Sequence, residues 1–214
     1  MRYRVNLLGV GGVGCNVLRH ATCRDGWRRY MFRIYDPDTV ELHNLNRTSM
    51  FEINMVGKRK VDAVFSRLVF TCPHGGAEAV SAFLRDRGNS AVDGETDLKV
   101  GTIIDARDTM DPAKMVAGTW VKLAYNGGSE LSFTWRPDLV AAHVVDLGRT
   151  SAYEVVPSFY VPAALLAVLT FNFLRFSNFS QYPASRAGTW QFDLDEAVRC
   201  VSYRWDRQAE QVAE

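Results

Sequence analysis

Four glycines lie close together near the start of the chain, directly after an apolar run. The run ends at Leu8, and Gly9, Gly11, Gly12 and Gly14 follow at once. Glycines at this spacing let the backbone turn tightly, and they let a phosphate approach the free N–H groups and positive dipole end of the next helix. The stretch therefore predicts a strand, a glycine turn and a helix that together bind a nucleotide phosphate.

An acidic residue lies where such a unit binds ribose. Asp36 follows Gly14 by 22 residues, at the end of a second apolar run that holds Phe32 and Ile34. In a nucleotide-binding βαβ unit, a carboxylate at this point accepts hydrogen bonds from ribose hydroxyls. The glycine pattern alone fits a nicotinamide or flavin dinucleotide as well as other nucleotides, and a tight turn without any ligand is the plainest alternative.

Three cations precede a second amphipathic stretch. Lys58, Arg59 and Lys60 stand before apolar residues at helical spacing, and the pattern predicts a helix over 57–70 with these cations in its first turn. Cations at a helix N-terminus oppose the macrodipole, so their placement favours an anionic ligand. The alternative is a set of solvated side chains that merely tolerate the dipole.

The remaining pattern predicts an α/β fold with a Rossmann-like, mostly parallel sheet, helices on both faces and an antiparallel extension in the C-terminal half. Residues 100–105 form an apolar run suited to a parallel strand buried on both faces. Residues 120–125 and 130–135 flank an Asn-Gly-Gly stretch, as in a hairpin. Residues 162–175 are apolar nearly all round, which predicts a buried helix and suits a homodimer contact.

The composition is that of an ordinary folded protein. Of the 214 residues, 47% are hydrophobic and 23% charged, and the net charge of +1 gives no electrostatic argument for nucleic acid or a membrane as partner. The longest apolar run, at 161–169, is too short to span a bilayer. The four cysteines include no C-x-x-C pair, so we expect no structural zinc, and their scatter suits a reducing cytoplasm. We expect a single domain over 1–214, with a nucleotide-binding half over 1–118 and a substrate-docking and dimerisation half over 119–214.

Four motifs together resemble the ubiquitin-activating-enzyme-like superfamily, which includes the ThiF-like adenylyltransferases of sulfur-carrier activation. They are G-V-G-G-V-G at 9–14, D-P-D-T-V-E-L-H-N-L-N-R at 36–47, V-G-K-R-K-V at 56–61 and I-I-D-A-R-D at 103–108. They occur in the family's order and at its spacing, over roughly the first half of the chain. The resemblance implies that ATP adenylates the terminal carboxylate of a small protein or peptide and that pyrophosphate leaves.

The resemblance also assigns roles to residues of these motifs. The glycines would admit the phosphates, Asp36 would hold the ribose, and Arg47 and Lys60 would neutralise the triphosphate and the charge that develops on it. Asp108 would help to hold Mg²⁺. Asn44 and Asp38 would shape the pocket, although Asp38 would serve equally to order its own loop. The predicted catalytic residues are Arg47, Lys60 and Asp108, and the predicted nucleotide-binding residues are Gly9, Gly11, Gly12, Gly14, Asp36, Asp38, Asn44, Arg47 and Lys60.

The sequence departs from the family pattern in ways that bear on the reaction. The family's usual helix ahead of the first strand, which lends an arginine to the partner subunit's site, is expected to be missing. Thr48 stands where glutamine is common. No cysteine lies between Cys72 and Cys200, the region where thioester-forming members carry their nucleophile, and Cys200 is a weak candidate. We therefore expect an enzyme that stops at the acyl-adenylate.

Three functions are open at this point. The first is a homodimeric adenylyltransferase acting on a ubiquitin-like or sulfur-carrier protein with a Gly-Gly terminus, or on a peptide. The second is a non-catalytic subunit that scaffolds an active partner, and the presence of Arg47, Lys60 and Asp108 argues against it. The third is a nicotinamide or flavin oxidoreductase, and the combination of Asn44, Arg47 and Lys60 argues against that.

Overall fold

A computed structural model describes residues 3–22, 30–71, 76–79, 102–107, 119–125, 130–136, 160–176, 188–193 and 204–205. Strands and helices alternate through the first part of these ranges, and strands dominate the rest. In chain order they are β1 (Tyr3–Leu8), α1 (Gly12–Thr22), β2 (Tyr30–Tyr35), α2 (Lys60–Thr71), β3 (Gly76–Ala79), β4 (Thr102–Asp105), β5 (Thr119–Tyr125), β6 (Glu130–Arg136), α3 (Tyr160–Phe176), β7 (Gly188–Asp193) and β8 (Arg204–Trp205).

The strands form one sheet in the order β3-β2-β1-β4-β5-β6-β7-β8. Neighbouring strands from β3 to β5 run parallel, and those from β5 to β8 run antiparallel. The predicted fold class, a Rossmann-like sheet with an antiparallel extension, is therefore confirmed. The predicted hairpin is the β5–β6 pair, in which Val121 lies opposite Trp135.

The order of the strands reverses at β1. Leu8, the last residue of β1, pairs with Tyr35 of β2 on one side and with Asp105 of β4 on the other. In open parallel sheets, the crevice outside the carboxyl ends of the strands at such a reversal is where ligands bind. The fold thus brings the segments that follow Leu8, Tyr35 and Asp105 together at one edge.

Helix α3 is buried by its own chain. It packs against α1 and lies over β5 and β6, with ring contacts between His20 and Phe171 at 5.4 Å and between Phe133 and Phe173 at 5.8 Å. Among its described side chains only Val168 is exposed. The apolar pattern of this helix is therefore explained without a second subunit, and the homodimer stays a prediction. No helix within the described ranges has the length and apolar character needed to cross a membrane.

Helix α2 begins later than the sequence suggests. Residues 57–59 are drawn into pairing with the segment after β2: Val40 N–H donates to the Lys58 carbonyl at 2.8 Å, and Thr39 forms an antiparallel bridge with Arg59. Gly57 allows the turn into this pairing with a positive φ of 85°. The placement of Lys58 and Arg59 in the first helical turn was wrong, because extended pairing takes them up, and Lys60 alone of the three cations lies in the helix.

Candidate functional site

The glycines of the turn after β1 meet different surroundings. Gly9 has a φ of 88°, and its N–H donates to the Tyr35 carbonyl at 2.8 Å. A Cβ at Gly14 would lie 1.9 Å from the Gly9 carbonyl oxygen, whereas a Cβ at Gly11 would meet nothing within 4 Å. Because Gly11 accepts the first bond of α1, from Cys15 N–H, its open surroundings lie at the helix N-terminus. Gly9 and Gly14 shape the turn, and the space beside Gly11 is open.

Asp36 joins the ends of β1 and β2. Its Oδ2 accepts the Val10 N–H at 2.7 Å and its Oδ1 accepts the Asp38 N–H at 2.9 Å. Burial raises the pKa of this carboxyl, against the opposing effects of the Lys60 charge and the two backbone hydrogen bonds. The carboxylate is thus fixed against the glycine turn, at the point where the sequence predicted a ribose contact.

Asp38 binds Lys60 and holds it close to Asp36. The Lys60 ammonium donates to Asp38 Oδ2 at 2.8 Å, and the Lys60 N–H donates to the Asp38 carbonyl at 2.9 Å. The Lys60 side chain is 11% exposed and the Asp38 side chain 62%. We call Asp36, Asp38 and Lys60 the outer cluster. It presents a fixed cation at the start of a helix, paired with a carboxylate that solvent can reach.

The loop between β2 and α2 folds back onto α1. Asn44 is buried, and its Oδ1 accepts the Glu41 N–H at 2.9 Å, which closes a short 3₁₀ turn. Thr48 shares a hydrogen bond with Cys15 in the first turns of α1, and Arg47 beside it is half-buried. Asn44 therefore orders this loop.

Two polar residues of this turn are exposed. They are Glu41 and His43, and the Glu41 Oε2 and His43 Nδ1 atoms lie 3.3 Å apart on the surface of the loop. Their surroundings give no sign of a role in the site.

A second charged cluster lies on the other side of β1. One of its members, Lys122, was not identified from the sequence. Asp105 accepts a two-point hydrogen bond from the Arg107 guanidinium, at 2.9 Å from Nε and 2.8 Å from Nη2, and lies 3.4 Å from the Lys122 ammonium. Burial would raise the Asp105 pKa, but Lys122 and Arg107 more than offset this and lower it. We call these three residues the inner cluster. The available signal was a lysine in the middle of an otherwise apolar strand, T-W-V-K-L-A-Y.

The structure thus brings most of the predicted site residues to one edge of the sheet. The glycines, Asp36, Asp38 and Lys60 are linked by direct contacts, and Asn44 and Arg47 lie on the loop that adjoins them. Asp108 lies outside the described residues, two positions beyond Ala106, whose N–H donates to the Leu8 carbonyl at 2.8 Å. Cys23, Cys72 and Cys200 also lie outside them.

Cys15 lies next to the outer cluster but is closed to solvent. Burial raises the pKa of its thiol to about 12, although the hydrogen bond with Thr48 acts in the other direction. Its Sγ donates to the Val10 carbonyl at 3.1 Å. A nucleophilic cysteine needs a lowered pKa and access, so Cys15 has the properties of a structural thiol.

The sequence matches the ThiF family over residues 1–124, more than half of the chain. The chain belongs to the ThiF family. Two curated relatives of this ThiF-family chain carry names that state an activity. It is 28% identical over 131 residues to the NEDD8-activating enzyme E1 catalytic subunit of Saccharomyces cerevisiae, covering 61% of this chain and 42% of that one. It is 30% identical over 107 residues to the molybdopterin-synthase adenylyltransferase of Escherichia coli, covering 50% and 40%.

Solved structures share the fold of the ThiF-family chain. Escherichia coli MccB, crystallised with MccA-N7isoASN, matches with a TM-score of 0.67 at 17% identity, over 95% of this chain and 64% of that one. Selenomethionine PaaA matches with a TM-score of 0.63 at 18% identity, over 95% and 63%. The chain spans less than half the length of the two curated relatives and about two thirds of MccB.

Proposed function

We propose that this protein is an ATP-dependent adenylyltransferase that activates the terminal carboxylate of a small carrier protein or peptide as an acyl-adenylate and releases pyrophosphate. The observation that carries the proposal is the position of Lys60. Its ammonium is almost fully buried at the N-terminus of α2, where a cation opposes the helix dipole. A polyanionic substrate at the adjoining glycine turn would explain why a cation occupies this unfavourable position.

The contacts of the site support a separate role for each of its residues in binding the nucleotide. Gly11 and Gly12 would let the triphosphate approach the N-terminus of α1, because no side chain stands in the way at Gly11. Asp36, fixed by two backbone N–H groups, would accept hydrogen bonds from the ribose hydroxyls. Arg47 and Lys60 would neutralise negative charge at the phosphorus under attack, which is the largest contribution a protein makes to such a transfer.

The adenylyl transfer itself needs positioning and charge neutralisation from the protein and little covalent chemistry. A carboxylate oxygen of the carrier attacks the α-phosphorus of ATP, the bond from that phosphorus to the bridging oxygen breaks, and pyrophosphate leaves with the electron pair. Lys60 moves from Asp38 toward the phosphates, and Asp38 is left to solvent. This exchange is favourable because Asp38 is already largely exposed.

Magnesium would depend on the nucleotide for most of its ligands. The described residues contain no group of three or more His, Cys, Asp or Glu side chains that could hold a metal ion. Asp36 and Asp105 are engaged by backbone N–H groups and by Arg107. A single carboxylate together with phosphate oxygens suits Mg²⁺, and the resemblance to the family assigns that carboxylate to Asp108. The ion would neutralise phosphate charge.

The test is ATP–pyrophosphate exchange in the presence of Mg²⁺, with small proteins that end in Gly-Gly, or peptides, as the candidate second substrate. We expect exchange that depends on the carrier and that is lost in Asp108→Ala. The matched control is Lys58→Ala, which removes an exposed cation two residues from Lys60. Measurable ATP binding with no exchange for any carrier would instead favour a subunit whose site a second chain completes, and would contradict the proposal.

The relatives suggest which carboxylates to try. The names of the curated matches refer to NEDD8 and to molybdopterin synthase, and MccB was crystallised with MccA. We propose that the second substrate is of the same chemical kind, a small ubiquitin-like or sulfur-carrier protein or a peptide, and that the enzyme acts as a cytoplasmic homodimer. Sedimentation velocity of the purified protein tests the dimer directly.

A further inference from the structure

Main-chain contacts order the segment that holds Asp38. The Asp38 N–H donates to Asp36 Oδ1 at 2.9 Å, and the Asp38 carbonyl accepts the Lys60 N–H at 2.9 Å. The next residue, Thr39, forms a backbone bridge with Arg59. The Asp38 carboxylate contributes a different contact, because its Oδ2 accepts a hydrogen bond from the Lys60 ammonium at 2.8 Å. This contact of the side chain therefore calls for an explanation of its own.

One ammonium faces two carboxylates in the outer cluster. Burial raises the pKa of Asp36, the charge of Lys60 lowers it, and the charge of Asp38 raises it, so the three groups act on one another. Two carboxylates and one ammonium give the cluster a net charge of −1 when both acids are ionised. A phosphate that approaches Lys60 would therefore be repelled by the carboxylates beside it. Binding an anion here is easier if one of the two carboxylates moves away.

The two carboxylates differ in how easily they can move. Asp36 is buried, and each of its oxygens accepts a backbone N–H, from Val10 and from Asp38. The side chain of Asp38 is largely exposed to solvent, whereas that of Lys60 is largely buried. Asp38 can therefore turn its carboxylate into water while its main-chain contacts stay in place, and Lys60 is left behind. An anion can replace Asp38 on the ammonium without disturbing Asp36.

We propose that Asp38 competes with the phosphates of the nucleotide for Lys60 and so limits how tightly the site binds ATP. In the free protein its carboxylate occupies the place on the ammonium that a phosphate oxygen takes in the complex. A ligand that must first displace such a contact binds more weakly, in proportion to the fraction of molecules in which the contact is already open. The inference rests on the proposed function, because that function brings the phosphates to Lys60. A residue that shapes the pocket would strengthen binding, whereas a competitor weakens it.

The experiment measures the dissociation constant of ATP in the presence of Mg²⁺ by isothermal titration calorimetry, for the full chain and for two variants of it. We expect Asp38→Asn to bind ATP about 5-fold more tightly, the upper end of what one such ion pair contributes. Asp38→Ala should bind more tightly still, because asparagine keeps a neutral acceptor for Lys60. The matched control is Asp62→Asn, which removes a carboxylate from the exposed pair with Arg59 and should leave the affinity for ATP unchanged. Thermal melts of all variants should stay near that of the wild type.

The direction of the change decides the matter. Weaker binding in Asp38→Asn would show that Asp38 holds Lys60 in place for the phosphates, and unchanged binding would show that they do not displace it; either result overturns the inference. An equal gain in Asp62→Asn would also overturn it, because the cause would then be net charge. If neither Asp38 variant folds, the main chain does not order the segment by itself and the inference fails at its first step.

Failure of the inference and failure of the proposed function give different results. A wild type that binds ATP, with no gain in the Asp38 variants, would leave the proposed function standing and would remove the competition alone. Absence of ATP binding in the wild type and in every variant would remove the proposed function and this inference with it.

Discussion

The outer and inner clusters lie on either side of β1, and they differ in how far their carboxylates are exposed to solvent. In the outer cluster the Lys60 side chain is 11% exposed and the carboxylate paired with it is 62% exposed, so the carboxylate can return to solvent when an anion takes its place. In the inner cluster the side chains of Asp105 and Lys122 are 1% and 3% exposed. Every charge there is tied to another charge or to a carbonyl.

The difference shows what each arrangement can do. Asp38 loses little solvation in the pair because it is largely exposed, so Lys60 can exchange it for an anionic ligand at small cost. Breaking a buried pair by removing one partner costs much more, so the inner cluster holds its shape. We infer that the outer cluster takes part in binding and that the inner cluster fixes the backbone on which the site is built.

The largest effect on stability should come from Asp105→Asn. The change leaves two cations in the interior, so we expect the free energy of unfolding at neutral pH to fall by about 3–5 kcal/mol. Urea unfolding measures this, and Asp62→Asn is the matched control, because Asp62 pairs with Arg59 at 2.7 Å on an exposed surface and should change stability by less than about 1 kcal/mol. A loss no larger than that of the control would remove the distinction between the clusters.

The difference in stability between the wild type and Asp105→Asn should also depend on pH. The pKa of Asp105 is lower in the folded protein than its ordinary value of 3.8. Its contribution to stability is therefore present above that ordinary value and is lost as the pH falls through the lower folded value. The stability gap between the wild type and Asp105→Asn should narrow below about pH 3.8. A gap that widens with acid would contradict the lowered pKa.

The next effect concerns activity and should leave stability intact. Lys60→Ala should lower the rate of ATP–pyrophosphate exchange by on the order of 100-fold or more, the scale seen when one fixed charge-stabilising group is removed. It should leave thermal stability unchanged or slightly raised, because it removes a cation from a helix N-terminus. Lys58→Ala is the control for exchange, and circular dichroism follows the melting. Full exchange in Lys60→Ala would defeat the assignment of Lys60 as a phosphate-binding residue.

The outer cluster could be predicted from the sequence because it follows local signals. The glycine spacing, the apolar run before Asp36 and the cations before α2 each lie within a few residues of the feature they predict. The boundary of α2 was harder, because the pairing of Thr39 with Arg59 joins segments 20 residues apart and takes Lys58 and Arg59 out of the helix. Local propensity cannot report such a pairing.

The inner cluster could not be predicted, because it depends on register between strands. Asp105 and Lys122 are 17 positions apart in the chain, and they become neighbours only because β4 and β5 pair with Asp105 opposite Lys122. A shift of one residue would have turned the lysine to the other face of the sheet. The apolar neighbours of Lys122 in the sequence indicate that it is buried, and a buried cation needs a partner.

Two glycines of the turn after β1 should also differ in whether their substitution affects stability or nucleotide binding. Gly14→Ala would place a Cβ 1.9 Å from the Gly9 carbonyl oxygen, and we expect the enforced shift to cost about 1–3 kcal/mol. Gly11→Ala meets nothing within 4 Å, so it should fold like the wild type and should instead weaken mant-ATP binding. Thermal melts and fluorescence titrations of both variants check this. Equal loss of stability in the two would mean that the space at Gly11 is not open to a ligand.

The smallest expected effect concerns Cys15, which lies close enough to the outer cluster to be affected by its charges. Asp36 and Lys60 both act electrostatically on its thiol, yet burial raises its pKa to about 12. At pH 8 the thiol is therefore protonated, and only the thiolate reacts with iodoacetamide. Mass spectrometry of the peptide that contains Cys15 should find it unmodified in the native protein and alkylated in denaturant. Alkylation in the native state would show that the outer cluster opens as far as the first turn of α1, and the exposed pair of Asp38 and Lys60 would then be the surface of a deeper cleft.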